Sequence, residues 1–258
     1  MANLAARYCR CAVLLELRDV GRVFTRGARV VVALDRVRLV VDTGECVAVY
    51  GGSRSGKTTL LRLAAGYEAP TSGSVYYDGE DLNAVSEYRR SDLLRSEVSW
   101  VTASSDFNPG LSVVEQVALA RFVGLRDHSR AEREAHEVMK MAGIEQCADA
   151  RPGELSDGEL RLMALAQGIV KRPRLLLADV PASGLDPIER DRVLDVLRNY
   201  ASDGGAVLFS AAHADETLRA SLIVRLDAGR LTVPSSLAAK GEVIKFPGRR
   251  AAGDGLDA

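Results

Sequence analysis

One stretch of the chain limits its possible folds more than any other. Residues 51–58 read Gly-Gly-Ser-Arg-Ser-Gly-Lys-Thr, which fits the phosphate-binding loop pattern G-x-x-x-x-G-K-[ST]. An apolar run at residues 46–50 precedes the motif, and residues 57–65 have the pattern of a helix that Gly66 ends. The motif therefore lies between a predicted strand and a predicted helix, as phosphate binding requires. A chance glycine turn is the alternative.

The residue types in this loop each have a physical role in binding phosphate. Glycines let backbone N–H groups curl around phosphate oxygens, and the start of the helix adds partial positive charge. Lys57 would reach the β and γ phosphates of a nucleotide, and the Thr58 hydroxyl would ligate Mg²⁺. The predicted ligands are therefore ATP and Mg²⁺. The predicted contact residues are Gly51, Gly52, Ser53, Arg54, Ser55, Gly56, Lys57, Thr58 and Thr59.

A carboxylate ends an apolar strand further along the chain. Residues 175–179 read Leu-Leu-Leu-Ala-Asp, and in a P-loop fold such an aspartate helps to hold magnesium. A buried strand that merely ends at a turn-forming aspartate is the alternative. Combined with the phosphate-binding loop, the pattern predicts Thr58 and Asp179 as the metal-binding residues.

Strands and helices alternate in the last third of the chain. We predict strands at 175–179, 206–210 and 222–226, and helices at 188–200 and 215–221. Such alternation is typical of a mostly parallel sheet that is covered on both faces. This part of the chain therefore indicates an α/β fold.

The first half of the chain has two other patterns. Residues 14–20 and 29–41 alternate like strands, the second with a turn near Asp35, and indicate an antiparallel β region. Residues 86–171 are rich in helical patterns, interrupted by a strand-like run at 98–102. Within that region the helix at 131–141 is predicted to have Ser129 as its N-cap and Gly143 as its stop.

Composition excludes several classes of protein. With 34 basic and 35 acidic residues the net charge is −1, so we expect no nucleic-acid partner. No apolar run approaches the roughly 18 residues that a membrane span needs. The four cysteines are too sparse for a disulfide scaffold and indicate a reducing, cytoplasmic compartment. Residues 1–11 and 234–258 are expected to be flexible termini.

The pentapeptide Leu-Ser-Asp-Gly-Glu at 155–159 has two interpretations. Ser156 and Glu159 have the spacing of a capping box at the start of a helix. A serine hydroxyl and free N–H groups at a helix start also form an anion site. Since capping and phosphate binding use the same groups, the local sequence cannot separate the two roles.

The order of these motifs resembles the nucleotide-binding subunit of ABC transporters, over residues 14–233. Residues 155–159 resemble the LSGGQ signature of that family, and 183–186 resemble its D-loop. His213 falls at the switch histidine, although a core or surface histidine is the alternative, and Phe24 falls at the aromatic residue that stacks on adenine. Residues 111–117 resemble a segment of the lipoprotein-release and macrolide-export ATPases.

The resemblance implies a fold, a set of domains and a second group of contact residues. The expected fold is a P-loop NTPase core with a mostly parallel sheet, an antiparallel β subdomain and a helical, signature-bearing subdomain at about 86–171, the whole cassette spanning 12–233. Asp186 of the D-loop and His213 are the implied catalytic side chains. The residues implied to contact an ATP bound to a partner subunit are Leu155, Ser156, Asp157, Gly158 and Glu159.

The sequence departs from the family pattern at two positions that bear on hydrolysis. Val180 stands where the family has a glutamate that polarises the attacking water, and Ala103 stands at the Q-loop glutamine. Loss of a positioned base typically costs roughly 10²–10⁴ in rate. Glu159 also replaces the signature glutamine, and Arg54 replaces a glycine. Arg54 either strains the loop or places its charge near phosphate.

The resemblance also implies partners. The expected ones are integral membrane permease subunits and a second ATP-binding cassette, a heterodimer being favoured over a homodimer, with the chain peripheral on the inner face of the cell membrane. The expected function is ATP binding that moves a substrate through those subunits, with export favoured and ATPase activity assigned to the complex. The alternatives are a non-hydrolysing, ATP-responsive regulatory subunit and an ABC-type ATPase that acts on DNA or ribosomes. An ATPase that acts on DNA would have a long coiled coil, and one that acts on ribosomes would have two cassettes. The sequence has no sustained heptads between its motifs and only one cassette pattern, which argues against the last of these.

Overall fold

The computed structural model describes residues 13–27, 29–102, 107–122 and 127–232. The predictions for Ala103 and for the two termini, 1–11 and 234–258, lie outside these ranges. The strands are β1 (Val13–Arg26), β2 (Arg29–Asp42), β3 (Cys46–Tyr50), β4 (Ser72–Tyr77), β5 (Glu80–Asp81), β6 (Val98–Thr102), β7 (Leu175–Asp179), β8 (Ala206–Ala211), β9 (Leu222–Asp227) and β10 (Arg230–Thr232). The α-helices are α1 (Lys57–Ala64), α2 (Glu87–Ser96), α3 (Val113–Phe122), α4 (His128–Ala142), α5 (Asp157–Ile169) and α6 (Pro187–Ser202).

Six strands form the central sheet, in the order β10-β9-β3-β8-β7-β6. All neighbouring pairs are parallel except β10 with β9. Along β7, Leu175 and Leu177 belong to one hydrophobic cluster, and Leu176 and Ala178 belong to the other. Since side chains alternate across a strand, the two clusters cover opposite faces of the sheet. The predicted α/β fold with a mostly parallel sheet is confirmed.

The second sheet is antiparallel, in the order β2-β1-β4-β5. The sequence predicted a turn near Asp35, and that prediction is wrong because β2 runs on from Arg29 to Asp42. Pairing shifts there, from Val37 opposite Val20 to Leu34 opposite Arg22. Between these pairs β2 has one residue more than β1, and Arg36 has φ 48°. Asp35 and Arg36 therefore form a bulge in β2 rather than a turn.

Two predicted helix boundaries need correction. Helix α4 begins at His128 because Asp127, not Ser129, is the N-cap, its carboxylate accepting from the amide of Arg130 at 3.1 Å. Gly143 ends that helix as predicted, with φ 70°. The helix predicted at 215–221 is only a short 3₁₀ turn, Ala214–Thr217. Its Thr217 hydroxyl donates to the carbonyl of Ala214 at 2.6 Å, a local bond that competes with a longer helix.

Helix α5 packs against three other helices, α3, α4 and α6, and most of its residues are buried. It carries the signature residues at its N-terminus, and α6 follows β7 and the D-loop. Among the described helices, none combines the length and apolar character needed to cross a membrane.

Candidate nucleotide-binding site

The phosphate-binding loop joins the end of β3 to the start of α1. Gly56 is the N-cap of α1, with φ 107°, and no side chain caps this helix end. By contrast, Ser86, Ser156 and Asp186 accept hydrogen bonds from the first amides of α2, α5 and α6. The first amides of a helix need acceptors. At α1 that role is left open to an anion, which fits the phosphate-binding prediction.

Lys57 turns back over the loop. Its Nζ donates to the carbonyl oxygens of Gly51 at 2.6 Å and Gly52 at 2.8 Å. Burial lowers the pKa of the Lys57 ammonium, and the nearby carboxylates of Asp179 and Glu216 act in the opposite direction. The ammonium is therefore held at the mouth of the loop, beside two negative charges.

Two of the loop glycines are required by close packing. A Cβ at Gly51 would overlap the carbonyl oxygen of Leu226 in β9, and one at Gly56 would overlap the carbonyl oxygen of Ala33 in β2. A Cβ at Gly52 would meet no atom within 4 Å. Gly51 and Gly56 thus let the loop pack closely against β9 and β2, whereas the space beside Gly52 is open.

The turn between β9 and β10 supports the loop from outside, and sequence reasoning missed it. The amide of Gly229 donates to the carbonyl of Ser55 at 3.1 Å, and its own carbonyl accepts from the amide of Asp35 at 2.9 Å. Gly229 has φ 79° and packs against Ala33. In the sequence, Ala228-Gly229 is typical of a turn, but this local pattern does not show which distant residues the turn contacts.

Asp179 lies between a loop hydroxyl and a strand hydroxyl. The Thr58 hydroxyl donates to its Oδ2 at 2.8 Å, and the Ser210 hydroxyl donates to its Oδ1 at 2.5 Å. The predicted metal-binding pair, Thr58 and Asp179, is therefore in direct contact. Ser210 was not predicted, although a lone serine in the apolar strand β8 was a visible signal.

Val180 follows Asp179 in an unusual backbone conformation. Its φ is 46°, in the left-handed region that β-branched residues rarely adopt. It also precedes Pro181, and a residue before proline ordinarily takes an extended conformation. Its amide donates to the Ser210 hydroxyl at 2.9 Å. The position that the sequence singled out by residue type is thus also held in a costly conformation.

Arg54 has φ 64°, in the left-handed region, and the residue is exposed. An L-residue there costs roughly 1–2 kcal/mol, and glycine instead costs about 0.5–1 kcal/mol in chain entropy. We therefore expect Arg54→Gly to raise the free energy of unfolding by up to about 1 kcal/mol and the Tm by roughly 2–4 °C. Arg54→Ala removes the same charge but keeps the strain, so thermal unfolding should show no such gain. Equal Tm values for the two variants would contradict the claim that the backbone is strained at Arg54.

The signature residues form a capping box at the start of α5. The Ser156 hydroxyl accepts from the amide of Glu159 at 3.2 Å, and the Glu159 carboxylate accepts from the amide of Ser156 at 2.9 Å. The Cys147 thiol donates to the other carboxylate oxygen at 3.3 Å. The backbone bond from Ser156, followed by the thiol, keeps the pKa of Glu159 below its usual value. Glu159 is thus charged and closes the capping box, and Leu155 packs against the core.

The signature lies against the helix that follows the D-loop. Asp186 is the N-cap of α6, its Oδ1 accepting from the amides of Ile188 at 2.8 Å and Glu189 at 2.9 Å. A Cβ at Gly158 would lie 2.5 Å from the carboxyl carbon of Glu189. The signature therefore lies against the first turn of α6, which Asp186 caps, and Asp157 is exposed.

His213 follows β8, and Phe24 lies in β1. The ring of His213 is exposed, and its carbonyl accepts from the amide of Glu216 at 3.3 Å. Glu216 is buried and accepts from the amide of Ala212 at 2.8 Å, which fixes the segment that carries the histidine. Phe24 pairs with Val31 across β1 and β2, and the guanidinium of Arg22 lies 4.7 Å from its ring centre.

A family model described as ABC transporter matches residues 34–183, more than half of the chain. The chain belongs to the ABC transporter family. Two curated relatives agree. The "Lipoprotein-releasing system ATP-binding protein LolD" of Syntrophotalea carbinolica is 32% identical over 225 residues, which is 86% of this chain and 99% of the relative. Its namesake from Nitrobacter hamburgensis is 33% identical over 78% of this chain and 86% of the relative. The predicted family is confirmed.

A solved structure shows the same fold. The dimeric structure of a post-hydrolysis state of the ATP-binding cassette MJ0796, bound to ADP and Pi, has a TM-score of 0.76 and 26% sequence identity. The match covers 85% of this chain and 97% of that one. The described residues of this chain therefore share the fold of a solved ABC cassette.

Within this ABC cassette the groups expected to bind ligand are present, but the expected base is not. Lys57, Thr58 and Asp179 supply an ammonium, a hydroxyl and a carboxylate around one loop. Val180 supplies only an aliphatic side chain, and it is half-buried next to the carboxylate. The groups that suit phosphate and a divalent cation are present, whereas no group at this position accepts a proton.

Proposed function

We propose that this chain is the ATP-binding subunit of an ABC transporter whose own loop binds ATP and hydrolyses it weakly. ATP binding, and hydrolysis in the assembled complex, would drive movement of a substrate by separate membrane subunits, with export favoured. The observation that carries the proposal is the contact of Thr58 with Asp179 beside Lys57, next to an apolar Val180.

The residues fit the ligands. Mg²⁺ prefers oxygen ligands, and the facing hydroxyl and carboxylate of Thr58 and Asp179 supply them. The uncapped start of α1 and the Lys57 ammonium suit the phosphates. When bound, Mg²⁺ neutralises charge on the phosphate oxygens. The chain's own residues then hold the phosphates, and Phe24 is available to stack on the base.

Weak hydrolysis follows from the chemistry at residue 180. Attack on a phosphate needs a positioned water, and a valine side chain neither accepts a proton nor holds water. Removing a general base typically lowers the rate by roughly 10²–10⁴. The exposed ring of His213 and the Asp186 carboxylate, already engaged at the start of α6, do not fill that position.

Val180→Glu is the direct test of this assignment. We expect turnover to rise by less than about 10²-fold, because the variant restores a base while Ala103 still lacks a polar side chain. Glutamate also avoids β-branching at φ 46°, so the variant should fold. Steady-state phosphate release, measured with and without the partner subunits, gives the result.

Val180→Gln is the matched control, since it has the same length and backbone demand but no basic carboxylate. It should stay at the wild-type rate. A gain equal to that of the glutamate variant would show that the effect comes from relieved strain and not from a base. Full restoration by glutamate alone would show that the Q-loop position hardly matters.

The expected partners are permease subunits and a second cassette. The relatives are named as proteins of a lipoprotein-releasing system, and the structural neighbour is a dimer of cassettes. We propose an asymmetric heterodimer in which residues 155–159 of this chain complete the ATP site of a competent partner, at the inner face of the membrane. Copurification with a multi-spanning membrane protein and a second, different cassette would support it. A homodimer that turns over ATP would contradict it.

The second candidate is a non-hydrolysing, ATP-responsive regulatory subunit, which the apolar Val180 also favours. ATPase activity of the assembled complex separates the two. If Lys57→Ala in this chain leaves transport-coupled ATPase activity unchanged, its ATP serves regulation at most. If the activity falls, its ATP takes part in the transport cycle.

A further inference from the structure

Ser210 stands out because it is a fully buried polar residue in an otherwise apolar strand. Strand β8 reads Ala-Val-Leu-Phe-Ser-Ala, and every residue in it is buried. Ser210 itself is 0% exposed. A buried hydroxyl costs stability unless it is hydrogen-bonded, so its bonds indicate why it is tolerated.

Both capacities of this hydroxyl are used within the nucleotide site. It donates to Asp179 Oδ1 at 2.5 Å and accepts from the amide of Val180 at 2.9 Å. Thr58 donates to the other oxygen, Oδ2, at 2.8 Å. The Asp179 carboxylate is therefore held from both sides, by the loop through one oxygen and by β8 through the other.

The same hydroxyl holds the strained peptide. Val180 has φ 46°, and conformations of this kind persist only where the surroundings fix them. Parallel pairing of β7 with β8, which sets Ala178 beside Phe209, brings the following residues, Asp179 and Ser210, next to each other. Because of this register, the single hydroxyl of Ser210 hydrogen-bonds to two consecutive residues, Asp179 and Val180.

We propose that Ser210 is a positioning residue for the magnesium-binding carboxylate, fixing Asp179 so that one oxygen faces Thr58 and the cation. The inference rests on the proposed function, in which this site binds Mg²⁺ with ATP. Groups that orient a metal ligand through its second oxygen typically change metal affinity by roughly 10–100-fold when removed. Ser210 touches neither nucleotide nor water in this role, so it acts through Asp179.

The test measures Mg²⁺ dependence of ATP binding by the purified full chain. ATP binding is followed by calorimetry or a fluorescent ATP analogue, with Mg²⁺ titrated, and separately in EDTA. For Ser210→Ala we expect the Mg²⁺ concentration at half-effect to rise roughly 10-fold, with ATP affinity in EDTA unchanged. Ser210→Cys keeps nearly the same size but weakens both hydrogen bonds, so it should shift the Mg²⁺ midpoint in the same direction and serves if the alanine variant does not fold.

Ser99→Ala is the matched control. Ser99 is also a buried strand serine, 2% exposed, and its hydroxyl donates to the carbonyl of Gly168 at 3.0 Å, away from Asp179. It should lower the Tm without moving the Mg²⁺ midpoint. Ser210→Thr, which keeps the hydroxyl, should retain the wild-type midpoint.

A midpoint for Ser210→Ala within about 2-fold of wild type would overturn the proposal, since even the lower end of the expected loss is roughly 10-fold. So would an equal loss of ATP affinity in EDTA, because that indicates a distorted loop rather than a misplaced carboxylate. If the wild-type chain binds no ATP in either condition, the proposed function itself fails, and the inference fails with it. A wild-type chain that binds Mg²⁺-ATP normally, beside an unaffected alanine variant, refutes the role of Ser210 alone.

Discussion

Replacing Gly51 with alanine should destabilise the protein by about 3 kcal/mol, a loss of roughly 6–12 °C in Tm. The added Cβ would overlap the backbone carbonyl of Leu226 and approach the Ser55 hydroxyl at 2.9 Å. A carbonyl in a paired strand cannot move aside as a flexible side chain can, so the loop or β9 must shift. Thermal or urea unfolding of the variant measures the cost.

Gly52→Ala is the matched control, one residue further along the same loop. Its Cβ would meet nothing within 4 Å, so the free energy of unfolding should stay within about 0.5 kcal/mol of wild type. Equal losses at the two positions would show that any side chain disturbs the loop. No loss at either would show that Leu226 does not back the loop as described.

Replacing Lys57 with alanine should reduce ATP affinity by about 10–150-fold, the loss corresponding to roughly 1.5–3 kcal/mol for a hydrogen bond to a charged group. Its ammonium lies within 2.8 Å of the carbonyls of Gly51 and Gly52, at the loop that would receive the phosphates. Equilibrium binding of ATP to the purified chain measures the loss.

Lys140→Ala serves as the control for the removal of one positive charge. Lys140 is exposed near the end of α4, so its loss should leave ATP affinity unchanged. Affinity that falls equally in both variants would point to net charge rather than to the loop. Unchanged affinity in Lys57→Ala would refute the phosphate role of this lysine.

Short-range signals in the sequence predicted much of the site. The motif at 51–58 predicts a loop between a strand and a helix, and the structure has β3 before it and α1 at its end. The capping box of Ser156 and Glu159 is equally local, because both bonds join residues three apart. Helix caps and glycine turns depend on neighbouring residues, so one sequence is enough to find them.

The features that sequence reasoning missed depend on distant partners. Ser210 meets Asp179 only because β8 pairs with β7, and Gly229 meets Ser55 only because β9 and β10 fold back on the loop. The conformation of Val180 even opposes its local signal, since a valine before proline favours an extended backbone. Tertiary contacts set these three positions, and no neighbouring residue encodes them.

The central claim is that the loop of this chain binds ATP but does not turn it over efficiently. The most direct measurement combines equilibrium binding of ATP in Mg²⁺ with steady-state phosphate release by the same purified chain. We expect saturable binding that Lys57→Ala weakens by about 10–150-fold, and turnover well below about 1 s⁻¹, the lower end of the usual enzyme range. Turnover of about 1 s⁻¹ or more, or no binding at all, would contradict the account.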